Sequence, residues 1–190
     1  MYNEKILVTR LKDSSTREAA FRTLVHEFQE QLYWQIRRMV TNHQDADDVL
    51  QNVFMKAWMG LDNFRGESQL STWLYRIASN ETLNFLQRNN RTTLSLDNTV
   101  DEGEGNDSQL SALSSQLVSD PYFDGDETQR QLQKAVESLP PKQRQVFTMK
   151  YFREMKYEEM SDVLGTSIGA LKASYHHAVK KVVDFFEVNG

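Results

Sequence analysis

The stretch Asp45-Ala46-Asp47-Asp48-Val49-Leu50-Gln51-Asn52-Val53-Phe54-Met55-Lys56-Ala57-Trp58 decides how the rest of the chain is read. Ala46, Val49, Leu50, Val53, Phe54, Ala57, Trp58 and then Leu61 recur at i, i+3, i+4 and i+7, the spacing that lines one side of an α-helix. Asp45 is placed to cap its N-terminus, because a short carboxylate can accept from the unsatisfied amides of a first turn. Asp48, Gln51, Asn52 and Met55 keep the same spacing on the other side, as a polar stripe with one methionine that looks away from a core. Taken alone, Asp45 to Asp48 could equally serve only as a cap, with acids at the positive end of the helix dipole.

Working outward, more helices appear. Ala20, Leu24, Phe28, Leu32, Ile36 and Val40 recur every four residues between Thr16 and Val40, with Phe21, Val25, Tyr33 and Met39 beside them, which predicts one long helix or two. Asp62-Asn63-Phe64-Arg65-Gly66-Glu67-Ser68 is rich in turn formers and predicts a loop. A further helix is predicted from about Leu70 to Arg88 or Arg91. Toward the C-terminus, Leu132, Ala135, Val136 and Leu139 mark a short amphipathic helix that Pro140-Pro141 must end, and proline at the first helical position starts the next. Its predicted inward stripe is Val146, Phe147, Lys150 and Tyr151, followed by a turn at Arg153-Glu154-Met155-Lys156. Tyr157, Met160, Val163 and Leu164 then make a two-turn helix ending at Gly165. The last helix begins near Ser167, with Ile168, Leu171, Tyr175, Ala178, Val179, Val182, Val183 and Phe186 inward and Lys172, Ala173, His176, His177 and Lys180 outward. Two helices joined by Gly165-Thr166, the second longer and basic on its outer face, form a helix-turn-helix pattern, whose second helix enters the DNA major groove.

The predicted fold class is all-α, with two small helical domains. The 190 residues carry a formal charge of −5, but the charge is segmented. Residues 1–91 hold 12 basic and 11 acidic side chains; residues 92–128 hold no basic and 9 acidic ones; residues 129–190 hold 10 and 7. The middle segment, with Asp101-Glu102-Gly103-Glu104-Gly105-Asn106-Asp107-Ser108, is too polar to bury a core and reads as an acidic flexible linker between domains at 1–91 and 129–190. With that linker set aside, the flanking pieces are neutral to basic, so the acidic total does not argue against a nucleic-acid partner.

Many function classes drop out. Cysteine is absent, which excludes disulfide frameworks, thiolate zinc sites and thiol catalysis and fits a cytoplasmic protein. No apolar run approaches the roughly 20 residues that span a bilayer, and the first ten residues lack a basic leader with a long apolar stretch, so neither membrane insertion nor export is expected. The GxxxxGK[ST], HExxH and GxSxG patterns are missing, and Gly103 stands where a calcium loop needs a ligand. No enzyme activity, cofactor, metal site or small-molecule substrate is therefore expected. Adjacent His176 and His177 do not share a helix face for a metal.

The run from Asp45 to Trp58, followed by Phe64-Arg65-Gly66-Glu67-Ser68 and Thr72-Trp73-Leu74-Tyr75-Arg76-Ile77-Ala78-Ser79-Asn80, resembles region 2 of the extracytoplasmic-function sigma factors of the sigma-70 family. Leu139-Pro140-Pro141-Lys142-Gln143-Arg144-Gln145-Val146-Phe147, Tyr157-Glu158-Glu159-Met160 and Leu164-Gly165-Thr166-Ser167-Ile168-Gly169-Ala170-Leu171-Lys172 resemble region 4. The two blocks come in the family's order across most of the chain. The resemblance implies a subunit that binds core RNA polymerase and directs it to promoters, recognising −10 and −35 elements and assisting melting. It implies that Asp48, Gln51, Asn52 and Met55 dock on the polymerase clamp helices, with region 4 near the flap. The family pattern has an acid where this chain has Asn52, which exchanges a charge-assisted contact for an amide hydrogen bond.

For the −10 element the resemblance implies Asn63, Phe64 and Asn80 around an unstacked base, Trp73 and Ile77 as an apolar wedge continued by Asn84, and Arg65, Arg76, Arg88 and Arg91 on phosphates. For the −35 element it implies Ser167, Lys172, Ala173, His176, His177 and Lys180. Ser174, His177 and Val179 stand where many family members are basic, so weak DNA binding by the isolated chain is expected. A membrane-anchored anti-sigma factor is a further implied partner. By periodicity alone Trp73 is more often a core residue and the histidines solvated surface. Two rival readings stay open: a stand-alone helix-turn-helix regulator of transcription, and a helical protein-interaction module. The packing of the two domains is left open as well.

Overall fold

The computed structural model describes residues 4–40, 42–97 and 127–189, with the backbone alone over 90–97. Among the described residues every regular element is helical. They are α1 (Glu4–Lys12), α2 (Arg17–Arg37), α3 (His43–Gly60), a 3-10 turn (Leu61–Asn63), α4 (Leu70–Asp97), α5 (Glu127–Glu137), α6 (Pro141–Phe147), a π turn (Thr148–Phe152), α7 (Tyr157–Leu164) and α8 (Ile168–Asn189).

The four-residue apolar repeat after Thr16 forms one helix, whose Leu24, Leu32 and Ile36 are fully enclosed. Against them pack Val49, Val53 and Ala57 of α3 and Leu70, Leu74 and Ala78 of α4. Helix α1 has no counterpart in the sequence reading; its Leu7 and Leu11 close the same core. Glu4 of α1 accepts the Leu70 amide at 2.7 Å, an anion at the positive end of α4 supplied from 66 residues away. Helix α4 runs to Asp97, past the predicted end at Arg88 or Arg91 and past the domain boundary placed at 91. Most of the predicted linker, with its Asp101 to Ser108 run, lies outside the described residues.

Several local expectations are corrected. Asn42, not Asp45, caps α3: its side-chain oxygen accepts the Asp45 amide at 2.7 Å while its Nδ2 donates to Asp45 Oδ2 at 3.0 Å. An amide both donates and accepts, so it can close this reciprocal pair where a carboxylate could only accept. Trp58 is 43% exposed at the edge of the stripe, its ring edge-on to Phe21 at 5.0 Å. In the π turn the chain reaches back five residues instead of four, which shifts the inward face. Thr148 and Met149 are buried there, while Tyr151, expected inward, is 52% exposed. Val183, also expected inward, faces solvent.

The second half has its own small core of Ala135, Val136, Leu139, Phe147, Ala178 and Val182. The two halves are packed together: Val146, Met149, Met160, Val163 and Leu171 join the apolar cluster of the first half. Arginines stitch the junction. Arg144 donates to the Met39 carbonyl at 2.8 Å across the halves and to the Glu137 and Leu139 carbonyls within its own. Arg153 donates to the Gln31 carbonyl, and Arg76 of α4 to the Asp162 carbonyl of α7.

Candidate functional site

Three surfaces gather the residues singled out in the sequence. On α3, burial of Ala46, Val49, Val53 and Ala57 turns Asp48, Gln51, Asn52 and Met55 outward, and all four are exposed. Met59, one turn beyond Met55, is 70% exposed and extends the face with an apolar end. Near its start, Asp45 is half-buried, and burial pushes its carboxyl above the ordinary carboxylate range against the opposing pull of the Asn42 hydrogen bond. The face is thus acid and amide at one end and thioether at the other, a mixture suited to a protein surface.

The second surface runs from the 3-10 turn along α4. Asn63, Arg65, Arg76, Asn80, Asn84 and Arg88 are exposed, and Trp73 and Ile77 are half-buried against the core. Phe64 is not on this surface: it is 6% exposed, with its ring centroid 5.0 Å from that of Trp73. Gly60 makes the packing possible, since a Cβ there would stand 3.2 Å from Trp73 Cζ2. The indole therefore lies over the end of α3 and shields Phe64. Arg65 sits near Glu67 at 3.9 Å, Asn84 near Glu81 at 3.5 Å, and Lys56 pairs with Glu81 at 2.6 Å. Arg76 is engaged by the second half. The Arg91 side chain falls outside the described residues.

The third surface is the outer face of α8. Leu171, Ala178 and Val182 are buried, which exposes Lys172, Ala173, His176, His177 and Lys180. Gly165 at φ 62° terminates α7 in the left-handed region and turns the chain into α8. Ser167 has local work: its Oγ accepts the Ala170 amide at 3.3 Å and caps α8. Lys172 Nζ lies 5.7 Å from the Tyr157 ring, while the His176 and His177 rings stand 6.1 Å apart. Among the described residues no group of three or more His, Cys, Asp or Glu could hold a metal. Nor is any described helix long and apolar enough to cross a membrane.

Sequence reasoning missed the junction residues Arg38, Arg144 and Arg153. Each reads locally as a solvated base, and its partners lie up to 122 residues away. The sequence carries no periodic signal for such pairs.

Residues 24–92 match the family model described as Sigma-70 region 2, and residues 129–182 match Sigma-70, region 4. The RNA polymerase sigma-H factor of Pseudomonas aeruginosa is 32% identical over 174 residues, 90% of this chain and 88% of that protein. The ECF RNA polymerase sigma factor SigW of Bacillus subtilis is 31% identical over 162 residues, 83% of each. The ECF RNA polymerase sigma-E factor of Escherichia coli K12 is 30% identical over 175 residues, 92% of this chain and 90% of that one. In fold, the chain is similar to the sigma factor RpoE solved with the anti-sigma factor NepR from Bartonella quintana, at TM-score 0.67 and 22% identity over 90% of this chain and 98% of that one. It is also similar to CnrH solved with the cytosolic domain of CnrY, at TM-score 0.67 and 20% identity over 98% of this chain and 99% of that one.

Proposed function

This chain belongs to the extracytoplasmic-function sigma factors of the sigma-70 family, and from that premise we propose which of its surfaces meets polymerase and which meets promoter DNA. It is an RNA polymerase sigma factor; the stand-alone regulator is not favoured. Sigma factors bind RNA polymerase and promoter DNA and are non-enzymatic initiation factors. The finer reading is that the α3 face of Asp48, Gln51, Asn52 and Met55 docks on the clamp helices of core polymerase. One observation carries it: this face is exposed on a helix whose opposite side buries Ala46, Val49, Val53 and Ala57, so these side chains are rigidly presented without any duty in the core.

Along α4, Trp73 and Ile77 with the amides of Asn63, Asn80 and Asn84 are suited to a separating −10 element, and Arg65, Arg76 and Arg88 to its phosphates. Arg76 exchanges its bond to the Asp162 carbonyl of the second half for a phosphate when it meets DNA. On α8, Lys172, Ala173, His176, His177 and Lys180 face the −35 element, with Ser167 limited by its capping role. With few bases on this helix, tethering to polymerase supplies most of the affinity. We infer a cytoplasmic site of action and an inhibitory partner of the anti-sigma class. The two solved relatives, each in complex with another protein, support the latter.

The test is co-elution of the purified chain with bacterial core polymerase on a sizing column. Wild type is expected to co-elute, and Asp48→Ala to bind about tenfold more weakly with an unchanged circular dichroism spectrum. Undiminished co-elution of Asp48→Ala would remove the α3 face from the docking surface.

A further inference from the structure

A cavity of about 350 Å³ opens at the junction of the halves, lined by Gln31, Trp34 and Arg38 of α2 and by Phe152 and Arg153 at the end of the π turn. It holds two guanidinium groups and no carboxylate among its lining residues. Arg153 is anchored: its terminal nitrogens donate to the Gln31 carbonyl at 3.0 Å and to Gln31 Oε1 at 3.1 Å, and its guanidinium lies 4.4 Å from the centre of the Tyr75 ring. Arg38 lies against aromatic faces, 4.6 Å from the Phe152 centroid and 5.9 Å from that of Trp34. Among the described residues its side-chain donors meet no hydrogen-bond acceptor. Burial, and then the charge of Arg153, press the Arg38 pKa below its ordinary value, so the pair sits in mutual repulsion.

Two like charges held beside one open hollow, each half-buried against aromatic rings, repel each other less once an anion lies between them. Each guanidinium has five N–H donors, and Arg153 spends only two of them on Gln31. More donors remain than the two oxygens of a carboxylate can use, whereas a phosphate presents three. We propose that the Arg38–Arg153 cavity binds a small phosphate-bearing anion, gripped between the two guanidinium forks. Its volume falls at the small end of ligand sites, which run from about 300 to 1,000 Å³, and suits pyrophosphate or a mononucleotide. Because Arg38 belongs to the first half and Arg153 to the second, the anion favours the packed arrangement in which Arg76 is engaged, and its binding opposes opening.

The test is calorimetric titration of the full chain with inorganic pyrophosphate, ionic strength being held constant with sodium chloride. Saturable binding at one site is expected, about tenfold or more weaker in Arg38→Gln and unchanged in Lys181→Gln, a surface control. Arg153→Gln is the second variant, and circular dichroism checks that each remains folded. Absence of saturable heat, equal affinity in Arg38→Gln and wild type, or loss of binding to chloride alone would mean an adventitious ion only and overturn the proposal. A short non-promoter DNA duplex distinguishes the sources of phosphate: Arg38-dependent binding to the duplex without binding to pyrophosphate would assign the cavity to DNA backbone and overturn the small-anion reading. Co-elution with polymerase reads the sigma assignment separately, because it rests on α3 and not on this cavity.

Discussion

Helix α3 buries Ala46, Val49, Val53 and Ala57 and turns Asp48, Gln51, Asn52 and Met55 to solvent, whereas α8 buries Leu171, Ala178 and Val182 and turns Lys172, His176, His177 and Lys180 outward. Both are amphipathic helices fixed by one apolar stripe, so the outer stripe of each is held in place without contributing to the core. They differ in the chemistry of that stripe. Acid, amide and thioether on α3 match a protein surface, on which mixed polar and apolar contacts are the rule. Ammonium and imidazole groups on α8 match phosphates and base edges. The same scaffold logic thus presents two chemically different faces, and the difference lies in the side that packing leaves untouched.

The most damaging way to break this comparison is to move a charge from one side of α3 to the other. Asp48 is native and exposed, while Val53, five residues on, is fully enclosed. Val53→Asp buries an unpaired carboxylate, and a loss of about 4 kcal/mol or more is expected, a large fraction of the roughly 5–15 kcal/mol that holds a typical domain. Urea titration followed by circular dichroism checks it. Retention of a wild-type midpoint would mean that α3 is not seated by its buried stripe, and the logic of its outer face would fail with it.

A gentler test sharpens the other side. Lys172→Ala leaves the α8 stripe intact and removes an ammonium from its outer face. Promoter binding by the polymerase complex is expected to weaken by several-fold at low salt, with the slope of log affinity against log salt reduced by about 1. The loss should concentrate on promoters that depend on the upstream element. An unchanged slope would show that the Lys172 ammonium never meets a phosphate and stays over the Tyr157 ring, where the structure holds it at 5.7 Å.

The same contrast explains what the sequence makes legible. Periodicity finds α2, α3, α7 and α8 because one-sided burial leaves a repeating mark, and Gly165 marks the turn because its positive φ favours glycine. Where burial is not one-sided, the pattern misleads. The π turn rotates Tyr151 outward, and Phe64 reads as part of a loop yet is closed over by Trp73. Asp45 has the residue type of a cap, but the helix starts two residues earlier, where Asn42 has extended backbone and closes the reciprocal bond. Helix α1 is only nine residues long, and its place depends on Leu7 and Leu11 reaching the core and on Glu4 meeting the distant Leu70 amide. The junction of the halves is the least legible part, because Arg76, Arg144 and Arg153 bond to backbone carbonyls, which every residue owns and no side-chain code reveals.

The smallest expected effect lies in the second half, where an acid is half-buried as Asp45 is on α3. Glu137 at the end of α5 is pushed above its ordinary pKa of 4.5 by burial, against the lowering pull of the Gln133 hydrogen bond and of Arg144, Arg37 and Lys134. A raised carboxyl binds its proton more tightly in the folded chain than in the unfolded one. Its contribution is therefore fully present below the ordinary value and lost as pH rises through the folded value. Stability should thus fall in the window that opens at 4.5 and extends upward toward neutrality. Glu137→Gln keeps an oxygen for the Gln133 amide, which donates at 2.8 Å, and removes the titration. It is expected to gain on the order of 1 kcal/mol or less at neutral pH and to flatten that part of the profile in urea melts taken across the window. A melt profile identical to wild type would mean that the three basic neighbours offset the burial of this carboxylate in full. The second half would then tolerate a half-buried acid as readily as α3 tolerates the exposed Asp48.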